Sequence, residues 1–388
     1  MTATVTQVEA FIVSLPRDVP YLGPLAADET VNTKGYFVRK GNRTVYPTTD
    51  MSVLVKATAS DGTIGWGETY GIAAPQAVVA LIDELLAPFI IDRDPYEAAT
   101  IWQDLYDMQR VRGASGGYYG DALAGIDIAL CDLACRIADV SMSQWLGGGR
   151  VDRIPAYVSG LPKATLDERL DLARHFIDNG YTAIKYAGPS ASDGIVTEMR
   201  ALRAALGAEV DLMADLHWRF NAKAALALVR ELAPYRPRFI EAPCAPEDIG
   251  GLAEVTAASP VPIAVGEEWR NLYEAKLRFD NARIGIVQPE IAHTGVTQFM
   301  AIARAARAHH AAVVPHATVG VGIFLAASLH ATAAMGNVSM HEYQHSVFDR
   351  NLRFIDTTMR CEAGYYHVPA GLGHGVVPRA ELMQFVRR

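Results

Sequence analysis

The chain has 388 residues, half of them hydrophobic, with a formal net charge of −8 at pH 7 and an isoelectric point near 5.8. That length exceeds one ordinary domain and leaves room for a barrel of about 250 residues beside a smaller domain. The acidic balance gives no basis for nucleic acid or an anionic membrane as partner, and no apolar run reaches the length of a spanning helix. The start, Met1-Thr-Ala-Thr-Val-Thr-Gln, lacks the charged and apolar segments of a signal peptide, so a cytoplasmic protein is expected.

Val5-Thr-Gln-Val-Glu-Ala-Phe-Ile-Val alternates as a strand does, and a Gly-, Pro- and Tyr-rich stretch follows over about residues 20–47. A connection of that length in a compact protein is either a lid or a solvated loop. This one carries Tyr21, Lys34, Tyr36, Arg39, Lys40, Arg43 and Tyr46, a set suited to closing over a small anion, and Tyr21, Arg43 and Tyr46 are expected at the substrate. The strand Met51-Ser-Val-Leu-Val-Lys-Ala-Thr-Ala, a turn at Ser60-Asp-Gly62 and the strand Ile64-Gly-Trp-Gly-Glu68 make an antiparallel meander, after which helical periodicity runs from Pro75 to Arg112. Strands followed by helices predict an α+β capping domain over residues 1–125. Residues 122–134 read as a buried helix, and Cys131 and Cys135 in it read as packing residues, because no CxxC or nearby histidine completes a metal site.

From about Ile154 strand and helix alternate strictly, with strand ends expected near Tyr157, Lys185, Asp215, Glu241, Glu267, Glu290, His316 and Glu342, at intervals of 23 to 30 residues. Eight such units, with helical segments such as 166–179 and 298–309, predict an α/β fold: a (β/α)8 TIM-type barrel over residues 126–355, with its active site at the C-terminal strand ends. The tail, residues 356–388 with Gly371-Leu-Gly-His-Gly-Val, is expected to pack back on the capping domain and complete it.

Three of these strand ends carry a charge where a buried strand should carry none: Asp211-Leu-Met-Ala-Asp215, Phe239-Ile-Glu241 and Ile263-Ala-Val-Gly-Glu267. The acids recur every 26 residues (241 − 215 and 267 − 241), which sets them side by side on consecutive parallel strands. Packed so closely, Asp215, Glu241 and Glu267 repel one another and take up protons unless a cation shares them, and an all-oxygen set suits Mg2+. His217, two residues beyond Asp215, is expected on the same strand face and so beside the metal. By the same alternation Glu268 points out of the barrel, while Trp218 and Trp269 are expected to pack. His341-Glu-Tyr-Gln-His345 matches the H-E-x-x-H zinc motif, but that motif needs a helix to bring its histidines to one face, and here it falls at the eighth strand. A zinc peptidase is therefore not expected, and the lack of a Rossmann fingerprint or phosphate loop gives no nucleotide cofactor.

Asp61-Gly-Thr-Ile-Gly-Trp-Gly-Glu68, Gly125-Ile-Asp-Ile-Ala-Leu-Cys-Asp-Leu, the three strand-end acids, Ile286-Val-Gln-Pro-Glu290, Pro315-His316 and the Gly-Leu-Gly of the tail together resemble the mandelate racemase subgroup of the enolase superfamily, over nearly the whole chain. The resemblance implies that Asp215, Glu241 and Glu267 bind Mg2+ and that a proton is removed α to the carboxylate of a small carboxylic acid. It implies His316 as the base, held by Glu290 where the family usually has Asp. Lys185-Tyr-Ala187 lacks the second lysine of the Lys-x-Lys that racemases and cycloisomerases of this group carry, whereas Asp215-Leu-His217 and the segment from Glu231 to Glu241 look like the galactonate dehydratase branch. By that likeness His217 is the acid that protonates the departing β-hydroxyl, Lys185 helps to hold the substrate carboxylate, and Glu342, in its protonated form, hydrogen-bonds that carboxylate opposite the metal. The implied activity is dehydration of an acid sugar, an aldonate or aldarate. A racemase, epimerase or lactone cycloisomerase is the neighbouring alternative, and a metal-binding regulator the alternative outside enzymes. The implied assembly is a homo-oligomer, dimer or octamer.

Overall fold

The computed structural model describes residues 3–113, 116–148, 151–336 and 338–387. Three antiparallel strands, Val5–Pro16, Thr49–Ala59 and Ile64–Tyr70, form the capping sheet, and Val386–Arg387 from the tail extends it by pairing with Ile12 and Val13. The middle strand is buried along most of its length, because helix Gly117–Ile137 packs on the sheet. That approach depends on glycine: a Cβ on Gly67 would stand 2.1 Å from the carbonyl oxygen of Gly125, and one on Gly65 2.4 Å from that of Ala129. Gly-Trp-Gly is thus the seat of a helix. The expected boundary after residue 125 is corrected here, since it falls inside this single continuous helix. Cys131 and Cys135 are buried and unpaired within it.

The helical run expected from Pro75 to Arg112 is broken. Pro75–Ala80 continues as one π-helical turn, Leu81–Leu86, and the chain turns through Asp92 at φ 67° before Ala98–Gly113 begins. Pro88 and Pro95 have no N–H to give to a helical ladder, and Asp94 caps the next turn by accepting from the Tyr96 N–H at 2.9 Å. The long stretch before the meander is not a bare loop. It contains the hairpin Tyr36–Arg39 with Thr44–Pro47, tied down by Arg39, whose guanidinium donates to the Tyr21 carbonyl at 2.7 Å, to the Pro24 carbonyl at 2.8 Å and to Glu29 at 2.8 Å.

Eight parallel strands make the barrel: Arg153–Ser159, Ala183–Ala187, Asp211–Asp215, Phe239–Glu241, Ile263–Val265, Ile286–Val287, Ala312–Val313 and His341–Tyr343. The first seven pair in chain order, a single bridge from Val313 to Val338 links the seventh to the approach of the eighth, and the eighth closes on the first, His341 opposite Ala156. One side chain from or beside each strand fills the lower interior, with Tyr157, Met213, Phe239 and Met340 the bulkiest. The segment expected as helix 166–179 is Leu166–Asp178, started by a capping box of Thr165 and Glu168. The segment expected at 298–309 belongs to Ile291–Ala308, two helical pieces joined by a kink at Gly295 (φ 66°, ψ 178°). Glu290 caps the short first piece, accepting from the Ala292 N–H at 2.9 Å, and Asp127 accepts from the Thr297 N–H at 2.8 Å where the long second piece begins.

The tail departs from its expected course. Its hairpin, Arg360–Glu362 with Tyr365–His367, pairs antiparallel with Ile154 and Pro155, covering an edge that the first barrel strand leaves open below its neighbours. Only then does the chain reach the cap, where Asp132 accepts from the His374 N–H at 2.9 Å and the last strand joins Val5–Pro16.

Candidate active site

Asp215 and Glu241 are the last residues of the third and fourth strands and are direct cross-strand partners. Lys185 and Glu342 sit within the second and eighth strands, while Glu267, Glu290 and His316 lie two or three residues beyond the fifth, sixth and seventh. All face one end of the barrel, the end at which this fold places chemistry. Glu290 and His316 are joined by a backbone bridge that carries the parallel pairing past the strands proper.

Lys185 Nζ lies 2.7 and 2.9 Å from the two oxygens of Glu241 and 3.0 Å from Glu342 Oε1. Gln288 donates to Glu241 Oε2 at 2.6 Å. His316 is held on both nitrogens: Nδ1 is 2.9 Å from Glu290 Oε2, and Nε2 is 2.9 Å from Glu267 Oε2 and 3.5 Å from Glu342 Oε2. Glu290 Oε2 also accepts a hydrogen bond of 2.7 Å from the hydroxyl of Tyr70, the last residue of the capping sheet's third strand. His217 Nδ1 is 2.9 Å from Asp215 Oδ2, off the angle for a hydrogen bond, while its backbone N–H donates to Oδ1 of the same carboxylate at 2.9 Å.

These groups form the floor of a cavity of about 350 Å³, roofed from the cap by Tyr21, Tyr46 and Ile72. Glu241 and Glu290 stand behind the lining. Tyr21 also reaches the far barrel wall, its hydroxyl accepting from Gln344 at 3.0 Å. Arg43 is corrected: it is exposed at the tip of the hairpin, with φ 60°, and takes no part in the cavity wall, because the tight turn sends Thr44 and Tyr46 inward instead. Two further expectations reverse. Glu268 lines the cavity, because the strand ends at Val265 and alternation no longer governs the residues beyond it, and Trp218 lines it as well, while Trp269 is fully buried in packing. His217 reaches the cavity by a different route from the one expected. It lies past its strand in a left-handed turn, φ 47° at His217 and 53° at Trp218, not on the face of a continuing strand.

Burial pushes the Glu241 carboxyl up despite Lys185, with Asp215, Glu267 and Glu342 repelling in the same direction. Glu267 goes the other way: against burial, the imidazole of His316 holds it well below the usual range. Glu342 is also lowered, by Lys185 and His316, which overrides its burial. That direction is opposite to the protonated form expected of Glu342. Asp215 raises the His217 imidazole, and Glu267 and Glu342 raise that of His316, in each case outweighing burial.

Five carboxylates, Asp215, Glu241, Glu267, Glu290 and Glu342, thus face one lysine and two imidazoles. Glu267 Oε2 is buried without a hydrogen bond although His316 Nε2 is close. Ligand atoms of Glu241, Glu267 and His316 all lie within 4.8 Å of one another; Asp215 falls outside that group, its carboxylate turned to His217. An excess of buried carboxylate oxygen on three adjacent strands fits a hard divalent cation, with Asp215, Glu241 and Glu267 as the residues able to hold it.

The H-E-x-x-H segment makes no second metal site. His341 is in the eighth strand with Nε2 at 2.8 Å from Ser328 and Nδ1 at 3.0 Å from the Glu342 carbonyl, while His345 begins a helix and meets the Gly160 carbonyl at 3.1 Å. Two partners of the site, Tyr70 and Gln288, were not expected from the sequence. Gln288 stands inside the Ile286–Glu290 motif, one residue before its proline, and could have been found there; Tyr70 carries no local signal.

A (β/α)8 barrel capped by an α+β domain, with carboxylates, a lysine and two imidazoles at the strand ends, defines a class of capped barrel enzymes. The descriptions of known families agree: "Mandelate racemase / muconate lactonizing enzyme, N-terminal domain" matches residues 42–147 and "Enolase C-terminal domain-like" residues 168–382. A D-galactonate dehydratase of Ralstonia nicotianae is 31% identical over 339 residues, 84% of this chain and 88% of that protein. The crystal structure of a member of the enolase superfamily from Agrobacterium tumefaciens is 51% identical, covers 100% of both chains and superposes with a TM-score of 0.97. A Sinorhizobium meliloti structure, described provisionally as an isomerase, is 50% identical over 99% of both chains with a TM-score of 0.97. The chain belongs to the enolase superfamily, in its mandelate racemase subgroup.

Proposed function

We propose that the protein dehydrates an acid sugar, an aldonate or aldarate, to a 2-keto-3-deoxy acid. The observation that carries this reading is the pair of imidazoles, His316 and His217, in one cavity over the carboxylate cluster. Kinship to D-galactonate dehydratases supports it. Asp215, Glu241 and Glu267 would hold Mg2+, which supplies positive charge to the oxygens of a carboxylate that is losing its α-proton. Lys185, between Glu241 and Glu342, stands ready to pair with that carboxylate.

His316, its ring fixed by Glu290 on Nδ1, takes the proton from C2 at Nε2 in its neutral form, available once the charge of the Glu267 carboxylate that raises the imidazole is offset by a bound cation. The electron pair of the broken C2–H bond moves into an ene-diolate. His217, whose imidazole Asp215 raises, gives a proton to the 3-hydroxyl as the C3–O bond breaks and water leaves. The resulting enol tautomerises to the 2-keto acid. The loss of a second lysine at Ala187 leaves the strand-two side without a base and is consistent with one-sided proton removal.

The test is a screen of purified, Mg2+-loaded protein against four- to six-carbon aldonic and aldaric acids, detecting 2-keto acid, with His316→Asn and His217→Asn alongside. Turnover of one or a few acids that both variants lose by at least about 100-fold is the expected result. A racemase or cycloisomerase is the second reading, favoured by the Sinorhizobium relative; deuterium entering C2 of recovered substrate, or a ring-opened product, without keto acid would establish it instead.

A further inference from the structure

A second polar cluster lines the same cavity away from the carboxylate floor and has no part in the chemistry above. Asp121 comes from the capping helix Gly117–Ile137, Arg270 from the loop after the fifth barrel strand, and His293 from the short helical piece between Glu290 and the kink at Gly295. Asp121 Oδ1 is 2.6 Å from His293 Nδ1 and 3.5 Å from Arg270 Nε. Among the described residues Arg270 Nε has no hydrogen bond, and no partner meets His293 Nε2. The place is built. The Arg270 stem lies across Gly120, where a Cβ would come within 2.5 Å of it, and the guanidinium is further fixed by donating to the Glu268 carbonyl. His293 packs edge-on against Tyr70 with ring centroids 4.5 Å apart, so a single tyrosine separates this cluster from the Glu290–His316 pair that its hydroxyl touches.

We propose that Asp121, Arg270 and His293 form a subsite that hydrogen-bonds the distal hydroxyls of the substrate chain, selecting six-carbon aldonates over shorter acids. This rests on the acid-sugar reading of the site. Hydroxyls are the matching group because the cluster offers both donors and an acceptor. A terminal carboxylate only accepts and would stand beside Asp121 and Glu268. The substrate therefore spans the cavity, its carboxylate at the floor and its far end held jointly by cap and barrel.

Binding by the full-length, Mg2+-loaded His316→Asn protein, whose turnover is expected to be at least about 100-fold slower, is measured by calorimetry for hexonates, tetronates and hexarates, alone and with Arg270→Met or His293→Gln added. Melting temperatures identify any variant that fails to fold, and the milder His293→Gln keeps the test open if Arg270→Met does. Expected is that hexonates bind about tenfold or more tighter than tetronates, the size of a hydrogen bond to a charged group, and that either variant removes most of that advantage while tetronates shift less than about twofold. Equal weakening of both chain lengths, or of neither, overturns the subsite and leaves the acid-sugar reading standing. Hexarates binding best, with both variants cancelling the preference, overturns the assignment to hydroxyls. If none of the acids binds, the acid-sugar reading fails and takes the subsite with it.

Discussion

At the residue scale, the two imidazoles of the cavity are set by partners that differ in kind. His316 is fixed by two carboxylates, and one of them, Glu290, is itself steadied by the Tyr70 hydroxyl from the other domain. Tyr70→Phe keeps the ring against His293 and Phe324 and removes that donor together with the hydroxyl's hydrogen bond to Thr318. Expected is a fall in kcat of roughly tenfold with KM within about twofold, the cost of one hydrogen bond to a charged group that orients a base. A KM rise with unchanged kcat would count against this role. Lys185 and His217 were legible from their distance in sequence to strand-end acids. The lowering of Glu342 was not, because it depends on Lys185 and His316 converging from strands far apart in the chain.

At the element scale, the cap is locked to the barrel by a buried acid that reads in sequence only as the end of a strand. Glu68 accepts from the backbone N–H groups of Gly322, Ile323 and Phe324, at 3.1, 2.9 and 3.2 Å, at the start of helix Ile323–Met335. A carboxylate there satisfies the orphan donors and the positive end of the helix, although burial raises its pKa. Glu68→Ala leaves those donors unpaired and is expected to cost about 3 kcal/mol in denaturant unfolding; a loss under about 0.5 kcal/mol would show that water replaces the carboxylate. The eight barrel strands were legible from the even spacing of apolar runs, whereas the course of the tail was not. The hairpin Arg360–Glu362 with Tyr365–His367 is too short to announce itself, and its pairing depends on an edge that exists only once the barrel is closed.

At the scale of the whole molecule, stability should respond to metal and to pH. If Asp215, Glu241 and Glu267 hold Mg2+, chelation lowers the melting temperature and Mg2+ at 100 times its Kd restores about 2.7 kcal/mol; Glu241→Gln should abolish that response, and an undiminished shift would remove Glu241 from the ligand set. Three histidines outside the floor, the buried His330 and His341 and the half-buried His345, have pKa values pushed down to about 4 by desolvation. Each contributes stability that is whole above the unfolded value of about 6.5 and drains away as pH falls toward 4, since only the unfolded chain takes the proton. Asp127 and Glu268, raised by burial to about 6 and about 7, act in the opposite sense over part of this window, so the effect is read by difference. His330 accepts from the Ser143 N–H at 3.3 Å in its neutral form. The stability advantage of wild type over His330→Gln should shrink by up to about 3 kcal/mol between pH 7 and pH 4; parallel pH curves would refute the buried-neutral assignment.

By itself the sequence determined the barrel and the position of its acids. Period and spacing are local properties: apolar runs ending in Asp215, Glu241 and Glu267 every 26 residues can be satisfied only by parallel strands around a shared charge. Tertiary structure decided everything that lies past a strand end or between domains. Once a strand stops, alternation no longer fixes which way a side chain points, so Glu268 and Trp218 turned inward, Arg43 turned out, and His217 arrived through a left-handed turn. The meeting of Tyr70, Asp121, Arg270 and His293 required the cap to dock on the barrel, because contacts between residues so distant in the chain leave no period or spacing to read.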